Sequence, residues 1–167
     1  AFYSQKIINR KFKNRYKKSK INVKKKMVEK INFIVAKNDF ETFMMHVILG
    51  TTGAAMDTEM NFFFTFWGLK LLQRKFKPKV GGMPFPMKSL AAGMFRKKLK
   101  KFGYEDIWGM VKDGVEDGKI HLYPCAMSME LMMPKITKES LHKFVEEPVG
   151  AAKFLEICDG ADAVISL

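Results

Sequence analysis

The sequence of 167 residues contains little of what cofactor and metal chemistry usually requires. Its two cysteines, Cys125 and Cys158, form no CxxC pair, which excludes a zinc ribbon and a thioredoxin-type dithiol on spacing. The three histidines are too scattered for a metal cluster, and there is no HExxH motif. Walker A and GxGxxG loops are also missing. We therefore expect neither a metal nor another cofactor.

Long apolar runs are missing as well. A membrane-spanning helix needs roughly 18–20 consecutive apolar residues, and the region that comes closest, residues 43–72, is interrupted by Asp57, Glu59 and Asn61. The first residues lack the uninterrupted apolar core of a secretory signal. With few cysteines and no expected disulfide, a reducing, cytoplasmic location is predicted.

Acidic residues are scarce in residues 1–30, which contain 12 lysines and arginines but one acid, Glu29. This segment has a net charge of +11, whereas residues 31–167 have 18 basic and 16 acidic side chains, a net of +2. We interpret residues 1–30 as a basic, disordered leader and residues 31–167 as the folded domain. The leader is either a solvated tail or a loose contact for polyanions such as RNA or an anionic membrane surface.

From residue 31 onward, short β-rich segments alternate with amphipathic ones. Strands are predicted over residues 31–36, 59–66, 119–123 and 163–166. Helices or helical turns are predicted over residues 39–55, 68–74, 88–102, 104–115 and 137–146, in a short segment from Cys125, and in a final helix from Ala151. A loop rich in proline and glycine occupies residues 77–86. This alternation predicts a parallel sheet with right-handed crossovers.

The first helix is predicted to begin with a capping box formed by Asn38 and Glu41. Its apolar face is predicted to contain Phe40, Phe43, Met44, Val47 and Ile48. The small residues at positions 50–55 are expected to let this helix lie close to the sheet.

Cys125 follows a predicted strand and opens a short helical segment that stops before Pro134. Parallel sheets bind ligands at the carboxyl ends of their strands, and unpaired N–H groups at a helix start favour a thiolate and could hold an anionic sulfur adduct. The alternative is a small hydrophobic residue packed at a strand end. The methionines that follow Cys125 are either adaptable packing or a soft surface for a partner.

Cys158 is expected to be buried on the apolar face of the last helix, together with Ala151, Phe154 and Leu155. Cys125 therefore has no evident resolving partner. Alkylation near neutral pH is predicted to reach Cys125 well before Cys158.

Four segments resemble, in the right order, the DsrE/DsrF-like sulfur-relay family, in the branch sometimes labelled peroxiredoxin-like. They are FFTFWGL at 63–69, GMPFPM at 82–87, CAMSMELM at 125–132 and VGAAKFLE at 149–156. The resemblance covers residues 31–167. It implies a doubly wound, flavodoxin-like α/β domain with a parallel sheet of about four to five strands and helices on both faces. It also implies homo-oligomers such as trimers or hexamers.

The same resemblance implies a sulfurtransferase-like carrier in which Cys125 holds sulfane sulfur as a persulfide or thiosulfonate. Its partners would be other carriers, such as TusA-like or rhodanese-like proteins. In this hypothesis, the backbone N–H groups of Ala126, Met127 and Ser128 hold the adduct. The hydroxyl of Thr65 could assist, and Trp67 could shield it. In the competing hypothesis, the protein is an adaptor that binds RNA or an anionic membrane surface through its leader, and Cys125 is inert.

Overall fold

The computed structural model describes residues 28–80 and 106–166, together with Met94 and Lys97. Its strands are β1 (Lys30–Val35), β2 (Glu59–Phe64), β3 (Ile120–Pro124) and β4 (Ala163–Ser166). They form one four-stranded parallel sheet in the order β3-β2-β1-β4. The predicted parallel α/β fold is therefore confirmed.

The middle of the sheet is apolar on both faces, as expected for parallel strands that helices cover. Phe33 of β1 lies beside Phe62 of β2, which lies beside Leu122 of β3. The rings of Phe33 and Phe62 stack with their centroids 4.9 Å apart, and all three side chains are buried. This row forms the centre of the main hydrophobic core.

Helices cover both faces of the sheet. They are α1 (Phe40–Ala55), α2 (Ile107–Glu116) and α3 (Ala151–Ile157). The first two pack on the face that carries Phe33 and Phe62, whereas α3 packs on the opposite face, where Phe154 stacks on Phe63 at 4.4 Å. The doubly wound arrangement is therefore confirmed. None of the described helices is both long and apolar enough to cross a membrane.

The cap of α1 is Asp39 and not the predicted Asn38. The Asp39 carboxylate accepts hydrogen bonds from the backbone N–H of Thr42 at 2.8 Å and from the Thr42 hydroxyl at 2.9 Å. Partial burial raises the pKa of Asp39, but these hydrogen bonds outweigh it and lower the pKa overall. The Asp39 carboxylate is thus ionised at neutral pH, and its negative charge interacts favourably with the positive end of the helix dipole.

The inner face of α1 lies directly on the sheet because glycines form part of it. A Cβ atom added at Gly50 would lie 2.8 Å from the Phe62 ring, and one added at Gly53 would lie 2.3 Å from the sulfur of Met60. The small residues therefore have the predicted effect. Ile48 was predicted on the same inner face, but it is 47% exposed on the outside of the helix.

The predicted helix over residues 137–146 is wrong. Only one short turn forms there, Lys138–Ser140, because the following chain runs along the outer edge of β3. The backbone N–H of Glu146 donates to the carbonyl of Leu122 at 3.0 Å. This edge pairing supplies backbone hydrogen bonds that a helix would otherwise supply.

Two predicted elements, the loop at 77–86 and the basic helix at 88–102, lie mostly outside the described residues. Within them, residues 77–80 are described and are not helical, and Met94 and Lys97 are both helical. The predicted turn after the second strand forms over Phe66–Leu72, two residues earlier than expected.

Candidate functional site

Cys125 follows β3 directly and lies at the carboxyl end of the sheet. Its backbone N–H donates to the carbonyl of Phe64 at 2.9 Å, and its own carbonyl accepts from the N–H of Met129 at 3.1 Å. The side chain lies on the α3 face of the sheet, in a small cluster with Phe63 and Phe154. It is only 6% exposed, so the thiol is held in an apolar, nearly closed environment.

The segment after Cys125 is helical from Ala126 to Met132, close to the predicted extent. Its last five residues, Ser128–Met132, form a wider π-type turn, a feature that is frequent at functional sites. The backbone N–H of Ala126 donates to the carbonyl of Val149 at 3.0 Å. Three backbone amides were predicted to hold a sulfur adduct. The one at Ala126 therefore already has a hydrogen-bond partner.

The structure brings together two predicted site residues, Thr65 and Ser128, through their hydroxyl groups. Their oxygens are 3.0 Å apart, both side chains are buried, and Ser128 Oγ also accepts from the backbone N–H of Phe66 at 3.1 Å. We call this contact the hydroxyl bridge. Since the pair shares one hydrogen bond, one of its two O–H protons has no acceptor among the described contacts.

The register of β2 and β3 places the hydroxyl bridge near Cys125. Phe64 and Pro124 are paired in the sheet, so the following residues, Thr65 and Cys125, are neighbours across strands about 4.8 Å apart. Side chains alternate along a strand, which places both on the α3 face. The sequence pointed to the backbone of Ser128; its side chain was missed because the contact joins positions 63 residues apart.

The turn after β2 has an unusual backbone. Phe66 adopts a left-handed conformation with φ of +46°, which few residues with side chains adopt. Two residues later, a Cβ added at Gly68 would lie 2.1 Å from the carbonyl oxygen of Val35. The close approach of Gly68 to β1 and the hydrogen bond from Phe66 to Ser128 together fix this turn beside the thiol.

Large apolar side chains are exposed on the two turns that flank Cys125. We call this set the apolar rim; its members are Phe66, Trp67, Met127, Leu131 and Met132, which are 42–75% exposed. Trp67, predicted as a shield, is 53% exposed, and its ring lies 4.7 Å beneath the ammonium of Lys70. Met127 is 63% exposed. Both side chains are thus part of the outer surface.

Cys158 caps the end of α3 and is only partly buried. It was predicted on a buried face with its helix neighbours, but Leu155 is 70% exposed and only Phe154 is fully buried. Cys125 pairs with Val149 just before the start of α3, whereas Cys158 follows its end. Cys158 also packs against the small cluster that contains Cys125, and both cysteines are free thiols in the structure.

The three histidines have partners other than the thiol. His46 and His142 belong to the α1 and α2 side of the sheet, against Phe33 and Trp108 respectively. His121 is on the Cys125 face, but its Nδ1 is 3.0 Å from the carboxylate of Glu146. In the described ranges, no group of three His, Cys, Asp or Glu side chains could hold a metal ion. The geometry therefore favours thiol chemistry without a paired histidine base.

An open depression of about 310 Å³ adjoins the helical turn that follows Cys125. Its lining includes Ala126, Met129, Glu130 and Pro148. This depression was not predicted, because Pro148 reaches this position through the extended chain along the edge of β3.

Comparison with known proteins agrees with the resemblance seen in the four segments. The family model described as DsrE/DsrF/DrsH-like matches residues 24–165, a range that contains β1 to β3, all but the last residue of β4, and both cysteines. The chain is also similar to the Sulfur carrier protein DsrE2 of Allochromatium vinosum. The two sequences are 27% identical over 158 residues, with 80% of this chain and 95% of that protein covered.

Proposed function

The chain belongs to the DsrE/DsrF/DrsH-like family, and from this premise we propose that it is a sulfur carrier that holds sulfane sulfur on Cys125. Its similarity to a protein named as a sulfur carrier supports a role in sulfur relay. The observation that carries the proposal is the position of Cys125 at the carboxyl end of β3, one residue beyond the Phe64–Pro124 pair, as Thr65 of the hydroxyl bridge is on the neighbouring strand.

Loading is a thiol exchange that requires no external oxidant or reductant. The Cys125 thiolate attacks the outer sulfur of a donor persulfide, and the S–S bond of the donor breaks. A new S–S bond forms on Cys125, and the donor leaves as a thiolate. Delivery is the same step in reverse, with a partner thiolate as the attacking group.

The hydroxyl bridge supplies a donor for the negative charge of the adduct. One O–H proton of the Thr65 and Ser128 pair is left over after the hydrogen bond between them. A hydrogen bond to a charged acceptor is roughly twice as strong as one between neutral groups. The first-turn amides of Met127 and Ser128 are further candidates, whereas the Ala126 amide is already paired with Val149.

The burial of Cys125 suits storage better than rapid exchange. A thiol that is 6% exposed beside Phe63 and Phe154 keeps a bound persulfide away from water and from other thiols. Transfer then requires the two flanking turns to move apart, which a docked partner can stabilise. We propose the apolar rim as that docking surface, and TusA-like or rhodanese-like carriers as the partners.

A cytoplasmic location and assembly into trimers or hexamers complete the proposal. Both cysteines are free thiols in the structure, and a persulfide carrier works only where thiols stay reduced.

The test measures sulfur on each cysteine separately. The fully reduced protein is incubated with tetrathionate or polysulfide, mapped by peptide mass and then mixed with a TusA-like acceptor. Cys125→Ser keeps nearly the same volume, so the variant should fold but deliver no sulfur. The matched control, Cys158→Ser, should load Cys125 and deliver as the unmodified protein does. Sulfur delivery by the Cys125→Ser protein, or no loading of Cys125 from any donor, contradicts the proposal.

A further inference from the structure

Helix α3 covers Cys125 mainly with one side chain. Among the seven residues of α3, only Phe154 is buried, at 4% exposure, whereas its neighbour Leu155 is 70% exposed. The Phe154 ring stacks on Phe63 with the two planes 13° apart, and both rings belong to the buried cluster of Cys125. On this face of the sheet, the closure of the thiol therefore depends on the Phe154 ring.

The chain is fixed to the sheet on both sides of α3. Before the helix, the backbone N–H of Val149 donates to the carbonyl of Pro124 at 2.9 Å. After the helix, the backbone N–H of Asp162 donates to the carbonyl of Lys30, also at 2.9 Å. Residues 150–161 thus form a segment whose two ends are held in place while its middle can move.

Between these two anchors, the described hydrogen bonds from the segment to the sheet are weak. The Asn32 amide donates to the carbonyl of Ile157 at 3.4 Å, which is longer than a typical N–H···O bond. The Lys30 ammonium donates to the carbonyl of Asp159 at 3.2 Å in an exposed position. A helix of seven residues is also too short to be stable alone. Its closed position therefore depends on the packing of Phe154.

Glycines lie at both ends of the moving segment. Gly150 precedes the first residue of α3, and Gly160 follows the helix in a left-handed conformation with φ of +69°. A Cβ atom at either glycine would meet no atom of the described residues within 4 Å. The backbone on each side of α3 consequently has room to rotate.

We propose that Phe154 is the gate of Cys125, and that outward movement of α3 admits small sulfur donors such as polysulfide or tetrathionate to the thiol. The inference rests on the proposed sulfur-carrier function and adds an entrance separate from the apolar rim. Phe154 then determines specificity between two classes of donor. A protein donor docks on the rim, whereas a small anion reaches Cys125 when α3 opens.

Opening of α3 leaves the main core in place. That core lies between the sheet and the helices α1 and α2, whereas Phe154 belongs to a separate cluster on the opposite face. A local opening of this kind costs less free energy than global unfolding. The paired strands that position Cys125 and the hydroxyl bridge therefore stay together while the thiol is uncovered.

Loading from tetrathionate through this entrance is a balanced exchange. The Cys125 thiolate attacks an inner sulfur of tetrathionate, and the neighbouring S–S bond breaks. Thiosulfate leaves with the electron pair of that bond, and a thiosulfonate group stays on the cysteine. Both reactants are named here, and no separate oxidant or reductant takes part.

The rate at which Cys125 reacts tests the gate in the full chain. Peptide masses follow its alkylation by iodoacetamide and its loading by tetrathionate. In Phe154→Ala both rates should rise about tenfold or more, because deletion of a buried aromatic ring strongly destabilises the packed state. The matched control, Leu155→Ala, removes an exposed side chain of the same helix and should change both rates less than about twofold. Equal rates in the Phe154→Ala and unmodified proteins overturn the proposal.

Hydrogen exchange separates a moving gate from a static cover. In Phe154→Ala, backbone amides of α3 such as that of Cys158 should exchange faster, whereas amides of β1 and β2 should keep the rates of the unmodified protein. Faster alkylation without faster exchange in α3 would mean that the ring is a static cover, and it overturns the proposal. Equally faster exchange in the strands would indicate global destabilisation and also overturns it.

A protein donor tests the separate entrance. Sulfur transfer from a persulfidated TusA-like protein to Cys125 should change less than about twofold in Phe154→Ala, since its docking surface is intact. An equal rise for tetrathionate and for the protein donor would show one common route and overturn the specificity assigned to Phe154.

Failure of this proposal is distinguishable from failure of the sulfur-carrier function. Alkylation by iodoacetamide requires no sulfur transfer. Faster alkylation of Phe154→Ala without any sulfur loading would reject the carrier function, and with it the small donors. Sulfur loading that is equal in the Phe154→Ala and unmodified proteins would reject the gate and leave the carrier function in place.

Discussion

At the scale of single residues, burial controls the relative reactivity of the two thiols. The sequence predicts that Cys125 reacts first because it opens a helical segment, but the structure buries it and leaves Cys158 partly exposed. A reagent has to reach a thiolate before the intrinsic reactivity of that thiolate matters. From this difference in exposure we expect the opposite order of reaction in the folded protein.

We predict that iodoacetamide modifies Cys158 before Cys125 in the native protein and both at similar rates in urea. The measurement is a time course of peptide masses for each cysteine. Faster native modification of Cys125 would mean that the flanking turns open often enough to outweigh burial, and it would support ready access for sulfur donors.

At the scale of the elements, the turn after β2 depends on one glycine. The Gly68 N–H donates to the carbonyl of Ala36 at 2.9 Å, and the space for a Cβ is filled by the carbonyl oxygen of Val35. Because both contacts are with backbone atoms of the chain that continues β1, neither can move aside as a flexible side chain would.

Gly68→Ala should therefore lower the free energy of unfolding by about 1–3 kcal/mol or more, as overpacking does. The matched control is Gly150→Ala, because a Cβ at Gly150 meets no atom of the described residues within 4 Å; its effect should stay within about 1 kcal/mol. Urea unfolding of both variants measures the difference. Equal stabilities would show that the turn after β2 can shift as a unit.

Helix α1 contains a pH-sensitive group, His46. Burial lowers the pKa of His46, although the hydrogen bond with the Thr42 carbonyl and the charge of Asp39 oppose this. Among the described residues, its Nε2 has no hydrogen-bond partner, so a proton there would leave a buried charge unpaired. The folded protein therefore keeps His46 neutral at pH values where the unfolded chain, with a pKa of about 6.5, already binds a proton.

The free energy of unfolding should consequently fall as the pH drops below about 6.5, by at most about 1.4 kcal/mol per pH unit for this group. His46→Phe should reduce that fall, because the ring still packs against Phe33 and Phe62 but no longer titrates. The remainder should include His142, whose pKa burial also lowers. Urea unfolding at several pH values measures how steeply the free energy of unfolding changes with pH. An equal slope in the unmodified and His46→Phe proteins rejects the assignment of this pH dependence to His46.

Local sequence patterns predicted the elements well and their contacts less well. Strand β4 was placed correctly and Cys125 was placed at a strand end, because burial and turn residues leave a local pattern. The Glu146 segment was misplaced because its hydrogen bond to Leu122 joins distant positions. Likewise, Ile48 was assigned to the core because an apolar residue looks the same in a sequence whether it faces the sheet or is exposed.

At the scale of the whole molecule, the point at which the chain enters β1 and the candidate site lie at opposite ends of the sheet. The leader joins the fold at the amino end of β1, whereas Cys125 lies at the carboxyl end of β3. A strand of six residues is about 20 Å long. The two features can therefore be separated by experiment, which allows the carrier and adaptor hypotheses to be tested on one protein.

Limited trypsin digestion provides that separation. Residues 28–30 are held by the fold, since the Val28 carbonyl accepts from the Thr58 hydroxyl at 2.9 Å and the Glu29 N–H donates to Asp162 at 2.7 Å. Cleavage should therefore stop at residues 24–26 and leave Lys30 intact, as mass analysis of the β1 fragment will show. The trimmed protein should still load sulfur on Cys125 but lose any affinity for RNA or anionic vesicles. A leader that resists trypsin would mean that it packs on the domain or on another subunit. Loss of sulfur loading after trimming would contradict the independence of the leader and the Cys125 site.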